Sequence, residues 1–349
     1  MRIALLARER NNNFNLLRFL AASAVIFSHS YALTGRGLDE PLLRWSDGAT
    51  YLGLSGVTVF FIISGFLVSK SFTERKTLAA FAAARALRIY PALVAATLFS
   101  AVLAVALGTL PWREFLSDPQ TQHFVVRNSF GWRIEYFLPG AFLDNPYPRA
   151  VNGSLWSVPI ELSMYVACAL AGTLGLLYRR VAFNIVFVAG FVIFTLRPDW
   201  FTLYNHVPHV RLLALAFATG SLAWVNRDVI PLSPWAAAVA LLVLVVNPGE
   251  ILRGPFSLIL LAYVVLTFAL HPTLRFAAFN RIGDYSYGLY VYAFPIQQAL
   301  VNVKHDLDPF GLFAAAFALT LLMAMASWHG MEKPALGLKS RFRPRLQPA

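Results

Sequence analysis

Long apolar runs recur along this sequence, and they limit its fold more than any other feature. Ten of them have about the 17 to 25 residues that a helix needs to cross the hydrocarbon core of a membrane. We therefore predict an all-α protein, a polytopic integral membrane helical bundle with about ten transmembrane helices. The predicted spans are residues 14–33, 51–69, 91–110, 154–177, 182–197, 210–226, 232–247, 253–270, 284–303 and 310–330.

The overall composition agrees with a chain that lies mostly in lipid. Hydrophobic residues make up 58% of its 349 residues and charged residues only 13%, whereas soluble domains carry about 25% charged residues. We assign residues 14–334 to a single transmembrane domain, residues 1–13 to a cytoplasmic N-terminal tail and residues 335–349 to a basic cytoplasmic C-terminal tail. The single cysteine, Cys168, lies in an apolar run and excludes a disulfide framework.

The net charge of +12 is explained by topology. Lysine and arginine are retained on the cytoplasmic side of membrane proteins. With both termini in the cytoplasm, 18 of the 29 basic and 5 of the 17 acidic residues fall on that side, which gives it about +13 and the outer side about −1. We therefore expect a multi-pass protein of the cell inner (plasma) membrane that contacts lipids and has no nucleic acid partner.

Two ionisable residues, Arg18 and His29, lie inside the first apolar segment, NFNLLRFLAASAVIFSHSYAL (residues 13–33). An ionisable side chain within a spanning helix costs about 2.5 to 3.5 kcal/mol, so such residues usually face an interior cavity and have a function. Eleven residues separate the two, which is close to three helical turns. Both side chains therefore share one helix face, about 16 Å apart along the axis.

A third ionisable residue, Glu161, lies in the fourth predicted span, where Pro159 favours a helix start. A buried carboxylate needs a partner, and Arg18 or a protonated His29 would serve. Histidine titrates near neutral pH, so His29 could take a proton from an attacking hydroxyl while Glu161 orients its ring. The alternative for each residue is a polar contact to a neighbouring helix. The sequence contains no HExxH motif, and we predict no metal site.

The predicted cytoplasmic connection from Lys70 to Tyr90 has a helical period and carries Arg85 and Arg88. Residues three apart share a helix face, and two arginines on one face could clamp phosphate oxygens. An amphipathic helix held at the membrane surface by anionic lipid is the other interpretation. This pattern alone leaves both open.

The predicted outer segment, residues 111–153, is too polar to span a membrane. Long connections of this kind often carry function. Its tryptophans and tyrosines fit either stacking on sugar rings or an aromatic belt at the lipid headgroups.

Six short motifs, taken in order along the chain, resemble those of the membrane-bound acyltransferase 3 family. Each is weak alone, but six in order over about residues 13–334 are a strong signal. The motifs are the Arg18–His29 spacing, GVTVFFIISGFLVSKSF (56–72), RALRIYPAL (85–93), GSLWSVPIELSMY (153–165), DYSYGLYVYAFPIQQ (284–298) and Glu332-Lys333-Pro334.

The resemblance implies an enzyme, a membrane-bound O-acyltransferase. Such an enzyme would transfer an acyl group, most often acetyl, from cytoplasmic acyl-CoA to a hydroxyl of a cell-surface or lipid-linked glycan at the outer face. Acyl-CoA, in most members acetyl-CoA, would be a co-substrate, and no cofactor would stay bound. The glycan acceptor would be the second partner.

The same resemblance implies roles for individual residues. His29 would be the catalytic base, or a nucleophile that carries the acyl group, with Glu161 as the second catalytic residue. Arg18, Arg85 and Arg88 would bind the acyl-CoA donor. Candidates for acceptor binding or structural support lie in the matched motifs: Trp156, Ser157, Tyr287 and Glu332.

The chain departs from the family in two respects. Many members have a histidine two residues before the proline of the 284–298 motif, where this chain has Ala293. The sequence ends at Ala349 with no esterase-like domain, so we expect the single-domain type, whose glycan acceptors are diverse.

A transporter or flippase for a glycan or organic anion is the rival interpretation. Arg18, His29 and Glu161 would then form a polar relay. A cytoplasmic pair of phosphate-binding arginines favours the enzyme, because a transporter has no evident need for it.

Overall fold

A computed structural model describes residues 1–342 except residues 10, 76, 198–208, 247, 277–278 and 280–281. Within that part, the only β-structure is a pair of isolated bridges, Arg2 with Pro231 and Phe137 with Ala150. The prediction of an all-α protein is confirmed. Ten described helices have 13 or more residues, and they are α1 (Phe14–Leu33), α2 (Leu52–Glu74), α3 (Leu78–Leu107), α4 (Val158–Thr173), α5 (Arg180–Leu196), α6 (Val210–Val225), α7 (Pro234–Val246), α8 (Phe256–Leu270), α9 (Ser286–Val303) and α10 (Pro309–Ser327).

Shorter helical segments connect or extend these ten helices. The α-helical ones are Ile3–Leu6, Pro41–Trp45, Trp112–Ser117, Pro119–Phe130, Pro248–Ile251 and Lys333–Gly337. The 3-10 segments are Gly37–Asp39, Gly153–Ser157, Leu176–Tyr178, Pro272–Leu274 and Leu338–Phe342, and a π-helical turn covers Trp328–Glu332. The predicted C-terminal tail, residues 335–349, falls within the described part only as far as residue 342.

Each of the ten predicted spans coincides with one of the ten helices. Five helical stretches among the described residues are long and apolar enough to cross a membrane, and four helices of 10–17 residues are also apolar. Several long apolar helices suggest a multi-pass membrane protein. The five are Phe14–Leu33, Leu52–Glu74, Leu78–Leu107, Gly153–Thr173 and Pro309–Gly337.

Helix α3 corrects one predicted boundary. The third span was predicted to begin at Pro91, but one continuous helix begins at Leu78 and contains this proline. A proline inside a helix removes one backbone hydrogen bond and clashes with the carbonyl four residues earlier, at a cost of about 3 kcal/mol. Ile89 and Leu93, on either side of Pro91, are fully buried. Tertiary packing therefore carries the helix through a residue that normally ends one.

One compact unit comprises residues 1–21, 41–78 and 163–283. Its helices α2 and α6 pack closely through glycines, because a Cβ atom at Gly65 would collide with the carbonyl oxygen of Phe217. The same holds for Gly220 against the carbonyl oxygen of Ile62. Small residues allow two helix backbones to approach where lipid supplies no hydrophobic driving force.

The segment predicted as an N-terminal tail is folded into this first unit. The backbone N–H of Ile3 donates to Ile230 O at 3.1 Å, and that of Leu232 donates to Met1 O at 2.7 Å. Ile3 and Leu6 are buried. Apolar residues spaced three apart therefore fix residues 1–9 beside the end of α6.

A second compact unit comprises residues 22–40, 79–162 and those from 284 onward. Helix α9 lies at its centre, and every residue from Gly288 to Gln298 is buried. A Cβ atom at Gly288 would lie 2.8 Å from Ala324 Cβ, so α9 and α10 also pack through small residues.

The polar segment 111–153 shares a hydrophobic core with the end of α3 in the second unit. Seven buried residues form it: Ala104, Phe115, Phe124, Leu138, Ala141, Phe142 and Val151. The segment predicted to be an outer connection is therefore a packed structure that can hold side chains in fixed positions.

Candidate active site

Two groups of polar side chains from α9 and neighbouring segments lie at different positions along this helix. The charged group lies at its start and consists of Arg88, Asp284, Ser286, Ser327 and Glu332. The amide group lies farther along and consists of Asn145, Asn152, Gln297 and Gln298. Eleven residues separate Ser286 from Gln297, so the two groups are about 16 Å apart along the helix axis.

A buried ion pair is the centre of the charged group. Arg88 Nη2 lies 2.7 Å from Asp284 Oδ2, and the two side chains are only 18% and 9% exposed. The hydroxyl of Ser286 donates to the other carboxylate oxygen of Asp284. The guanidinium of Arg88 also lies 5.9 Å from the ring centroid of Tyr287. Asp284 and Tyr287 therefore fix the direction in which Arg88 points.

Glu332 completes the charged group from the π-helical turn after α10. The residue is 2% exposed. Ser327 Oγ donates to Glu332 Oε1 at 3.0 Å, and Tyr292 donates to the same Ser327 hydroxyl at 3.3 Å. Glu332 Oε2 is buried and has no hydrogen-bond partner among the described residues. The carboxylate is thus held on one side only.

Arg85 and Arg18 lie on helices, as the sequence predicted. Arg85 precedes Arg88 by three residues on α3, so both belong to one continuous helix and share a face. Arg18 lies in the part of α1 that belongs to the first unit. All three arginines are partly buried.

His29 lies near the end of α1, in the second unit. Its ring meets that of Phe294 edge-on, with centroids 5.2 Å apart. The Nδ1 atom is buried and has no hydrogen-bond partner among the described residues, although the residue keeps some exposed surface. Glu161 lies in the first turn of α4. The Nδ1 atom of the imidazole is therefore not committed to a carboxylate.

The amide group anchors the helix that carries His29. Gln297 Nε2 donates to Ile26 O at 2.9 Å and to Ser30 Oγ at 2.8 Å. Ser30 Oγ itself donates to Ile26 O at 3.0 Å. These bonds hold α1 against α9 on both sides of His29, so the backbone that carries the imidazole is fixed.

The other amides attach the folded segment 111–153 to α9. Gln298 Nε2 donates to Tyr147 O at 2.9 Å and to Ala150 O at 2.7 Å, while Asn145 Nδ2 donates to Gln298 Oε1 at 2.7 Å. Asn152 Nδ2 donates to Val291 O at 2.9 Å. These contacts place polar backbone and aromatic residues of that segment beside Phe294, the ring that touches His29.

Ser157 and Trp156 lie in the 3-10 turn before α4. Ser157 Oγ is 2.7 Å from Tyr290 Oη, and the Tyr290 hydroxyl donates to Ser154 O at 2.7 Å. Trp156 is partly buried in the same turn. Ala293, at the position where many members of the resembling family have histidine, is buried in α9.

Sequence reasoning missed the amide group and Asp284. The signal for Gln297 and Gln298 is a pair of adjacent amides inside an apolar run, where each unsatisfied polar group is expensive. Asp284 gave a weaker signal, since it is the first residue of the predicted span 284–303. Among the described residues, no cluster of three or more His, Cys, Asp or Glu side chains could hold a metal ion.

Comparison with known proteins identifies the family to which this chain belongs. Residues 11–329 match the profile of the acyltransferase 3 family, which is described as an acyltransferase domain. The chain is 29% identical over 356 residues to the O-acetyl transferase of Shigella phage Sf6, covering 97% of this chain and 99% of that protein. It is 26% identical over 364 residues to nodulation protein 10 of Rhizobium leguminosarum bv. viciae, covering 96% and 95%. No solved structure matches.

Proposed function

The chain belongs to the acyltransferase 3 family and is an acyltransferase, and we propose that it acetylates a glycan at the membrane. The acetyl group would pass from cytoplasmic acetyl-CoA to a hydroxyl of a cell-surface or lipid-linked glycan at the outer face. The similarity to a phage O-acetyl transferase over almost the whole of both chains supports acetyl as the group transferred.

The proposed setting is the inner (plasma) membrane, crossed about ten times with both termini in the cytoplasm. The basic residues then concentrate on the cytoplasmic side, as expected for membrane proteins. In this orientation Arg18, Arg85 and Arg88 lie toward the cytoplasm, where acetyl-CoA is available. His29 lies toward the outer half, nearer the glycan.

The proposal assigns the chemical step to His29. The observation that supports this assignment is the buried Nδ1 atom, which has no hydrogen-bond partner among the described residues. In direct transfer, the imidazole accepts the proton of the glycan hydroxyl while the oxygen attacks the thioester carbonyl carbon. The carbon–sulfur bond then breaks, and the imidazolium returns the proton to the coenzyme A thiolate. In the alternative route the imidazole attacks the thioester carbon first, the carbon–sulfur bond breaks and the coenzyme A thiolate leaves. The glycan hydroxyl then attacks the acetyl-imidazole, which frees the imidazole, and the hydroxyl proton passes to the thiolate.

Arginine side chains suit the phosphates of coenzyme A, because guanidinium binds phosphate oxygens bidentately. We assign donor binding to Arg18, Arg85 and Arg88, with Tyr287 supporting Arg88 through the ring contact. Asp284 orients the same guanidinium.

The remaining proposed roles are supporting ones. Glu161 would stabilise the imidazolium that forms during transfer through its negative charge. Ser157 and Trp156 would shape the turn before α4, and Glu332 would stabilise the charged group.

Transfer of labelled acetyl from acetyl-CoA to envelope glycan tests this function. His29→Gln should lower the rate by about 10²- to 10⁴-fold, the usual contribution of a general base. His123→Gln is the matched control, because His123 is exposed on the helix Pro119–Phe130. A His29→Gln enzyme that transfers acetyl at the wild-type rate would contradict the assignment.

A transporter or flippase, the rival function, would move a glycan or anion across sealed vesicles when no acyl donor is present. Such flux, with no acetylated product when acetyl-CoA is added, would overturn the proposed reaction.

A further inference from the structure

The first unit contains a basic cleft that the proposed reaction does not use. Its volume is about 500 Å³, within the range of roughly 300–1,000 Å³ found for small-molecule sites. Four separate segments of the chain bring basic side chains to its wall. These side chains are Arg8, Lys70, Arg180 and Arg227.

An aromatic ring forms part of this basic cleft. Trp224 is only 5% exposed, and its Nε1 donates to Thr73 Oγ1 at 3.0 Å. The guanidinium of Arg227 lies 4.3 Å from the Trp224 ring centroid, and Lys70 Nζ lies 5.8 Å from it. The ring therefore holds two cations in fixed places by cation–π contact.

The four cations differ in how far they are engaged. Lys70 Nζ donates to Ala7 O, and Arg227 Nη1 donates to Trp224 O at 3.0 Å. By contrast, neither Arg8 nor Arg180 has a hydrogen-bond or ion-pair partner among the described residues. Two guanidinium groups therefore line a concave site with their donors uncommitted.

The acidic residues of the cleft do not balance this charge. Glu74 and Asp228 are the acidic residues in its wall, against four basic ones. Glu74 lies 3.9 Å from Lys70 Nζ, so its charge is directed to a cation that is already engaged. Topology explains why basic residues lie on one side of a membrane, but not why four segments converge on one cavity beside a buried ring.

We propose that the basic cleft binds a phosphate-bearing anion. Arg8 and Arg180 would contact the phosphate oxygens bidentately, as guanidinium groups do. Lys70 and Arg227, fixed by the Trp224 ring, would supply further positive charge. The phosphate has two sources on the expected cytoplasmic side, an anionic phospholipid headgroup and free inorganic phosphate. The site includes neither His29 nor the charged group, so it stands independently of the proposed reaction.

The test compares two double variants of the purified full-length protein. Arg8→Gln with Arg180→Gln removes the two uncommitted cations. Arg2→Gln with Arg179→Gln is the matched control, because both residues are exposed, neither lines the cleft, and the change in net charge is the same. Two arms measure the affinity for inorganic phosphate by calorimetry and retained phosphatidylglycerol by native mass spectrometry.

The cleft variant should lose about tenfold or more in one arm, as expected when two charge-assisted contacts are removed. Loss in the calorimetric arm identifies free phosphate, and loss in the lipid arm identifies the headgroup. The control should match the wild type in both arms. Wild-type behaviour of the cleft variant in both arms, or an equal loss in the control, would overturn the proposal.

Discussion

The polar groups at the two ends of α9 differ in how their buried side chains obtain partners. Both place polar side chains in a buried part of the second unit. The charged group satisfies Arg88 with the carboxylate of Asp284, 2.7 Å away. The amide group uses neutral donors, and the residue it anchors, His29, keeps one buried nitrogen without a partner among the described residues.

This difference fits a division of two tasks within the second unit, donor binding at one end and proton transfer at the other. A fixed arginine at one end suits a polyanionic donor, which needs permanent positive charge. At the other end, an imidazole whose Nδ1 atom has no partner among the described residues can gain and lose a proton, as acyl transfer to a hydroxyl requires. Variants at each end show how much stability that end contributes and whether the two tasks separate.

The largest effect on stability is expected at the charged group. Arg88→Ala leaves the carboxylate of Asp284 buried without its cation, and such a loss costs about 3–5 kcal/mol. Thermal unfolding in detergent measures it. Removing both partners, Arg88→Ala with Asp284→Ala, should restore much of that stability, because no uncompensated charge is left behind. Equal destabilisation by the single and the double variant would mean that the ion pair is not what stabilises this end.

A smaller effect is expected in the amide group. Gln298→Ala removes two donated bonds and leaves the carbonyls of Tyr147 and Ala150 unsatisfied, which should cost about 2–3 kcal/mol. Segment 111–153 should also become easier to cleave, so limited proteolysis provides a second measurement. If Gln298→Ala proves as damaging as Arg88→Ala, the contrast between charged and neutral ends fails.

Ser327→Ala should have a modest effect within the charged group. It removes the hydrogen bond to Glu332 Oε1 and the acceptor of the Tyr292 hydroxyl. A loss of about 1–2 kcal/mol is expected, since one bond involves a carboxylate. Ser327→Cys, which keeps the size and a weak donor, is the control in the same unfolding measurement and should fall between Ser327→Ala and the wild type.

The smallest effect on stability is expected for His29→Gln. The Nδ1 atom has no bond to lose, and glutamine preserves most of the side-chain volume. The unfolding free energy should change by less than about 1 kcal/mol, although activity falls sharply. A large loss of stability would show that His29 is a structural residue.

The sequence was sufficient to predict the long helices and to identify the ionisable residues that are costly to place in a membrane. Apolar runs predicted all ten long helices, because a membrane-length run leaves little choice of structure. Arg18, His29, Arg85 and Arg88 were found because charge or spacing makes them conspicuous. Their proposed roles still rest on the family resemblance and on the experiments above.

The long-range pairings could not be read from the sequence. Gln298 contacts residues about 150 positions away, and Arg88 pairs with Asp284 across 196 positions. Local patterns carry no information about such partners. The same limit explains the wrong boundary at Pro91, because the packing that carries α3 through the proline is tertiary.

The division of tasks is tested most directly by donor affinity. Acetyl-CoA binding should be measured for the wild type, for His29→Gln, and for the charge-balanced variant Arg88→Ala with Asp284→Ala. We predict that His29→Gln keeps the wild-type affinity within about twofold, while the charge-balanced variant loses about tenfold or more. Equal loss of affinity in both variants, or no loss in the charge-balanced one, would contradict the account.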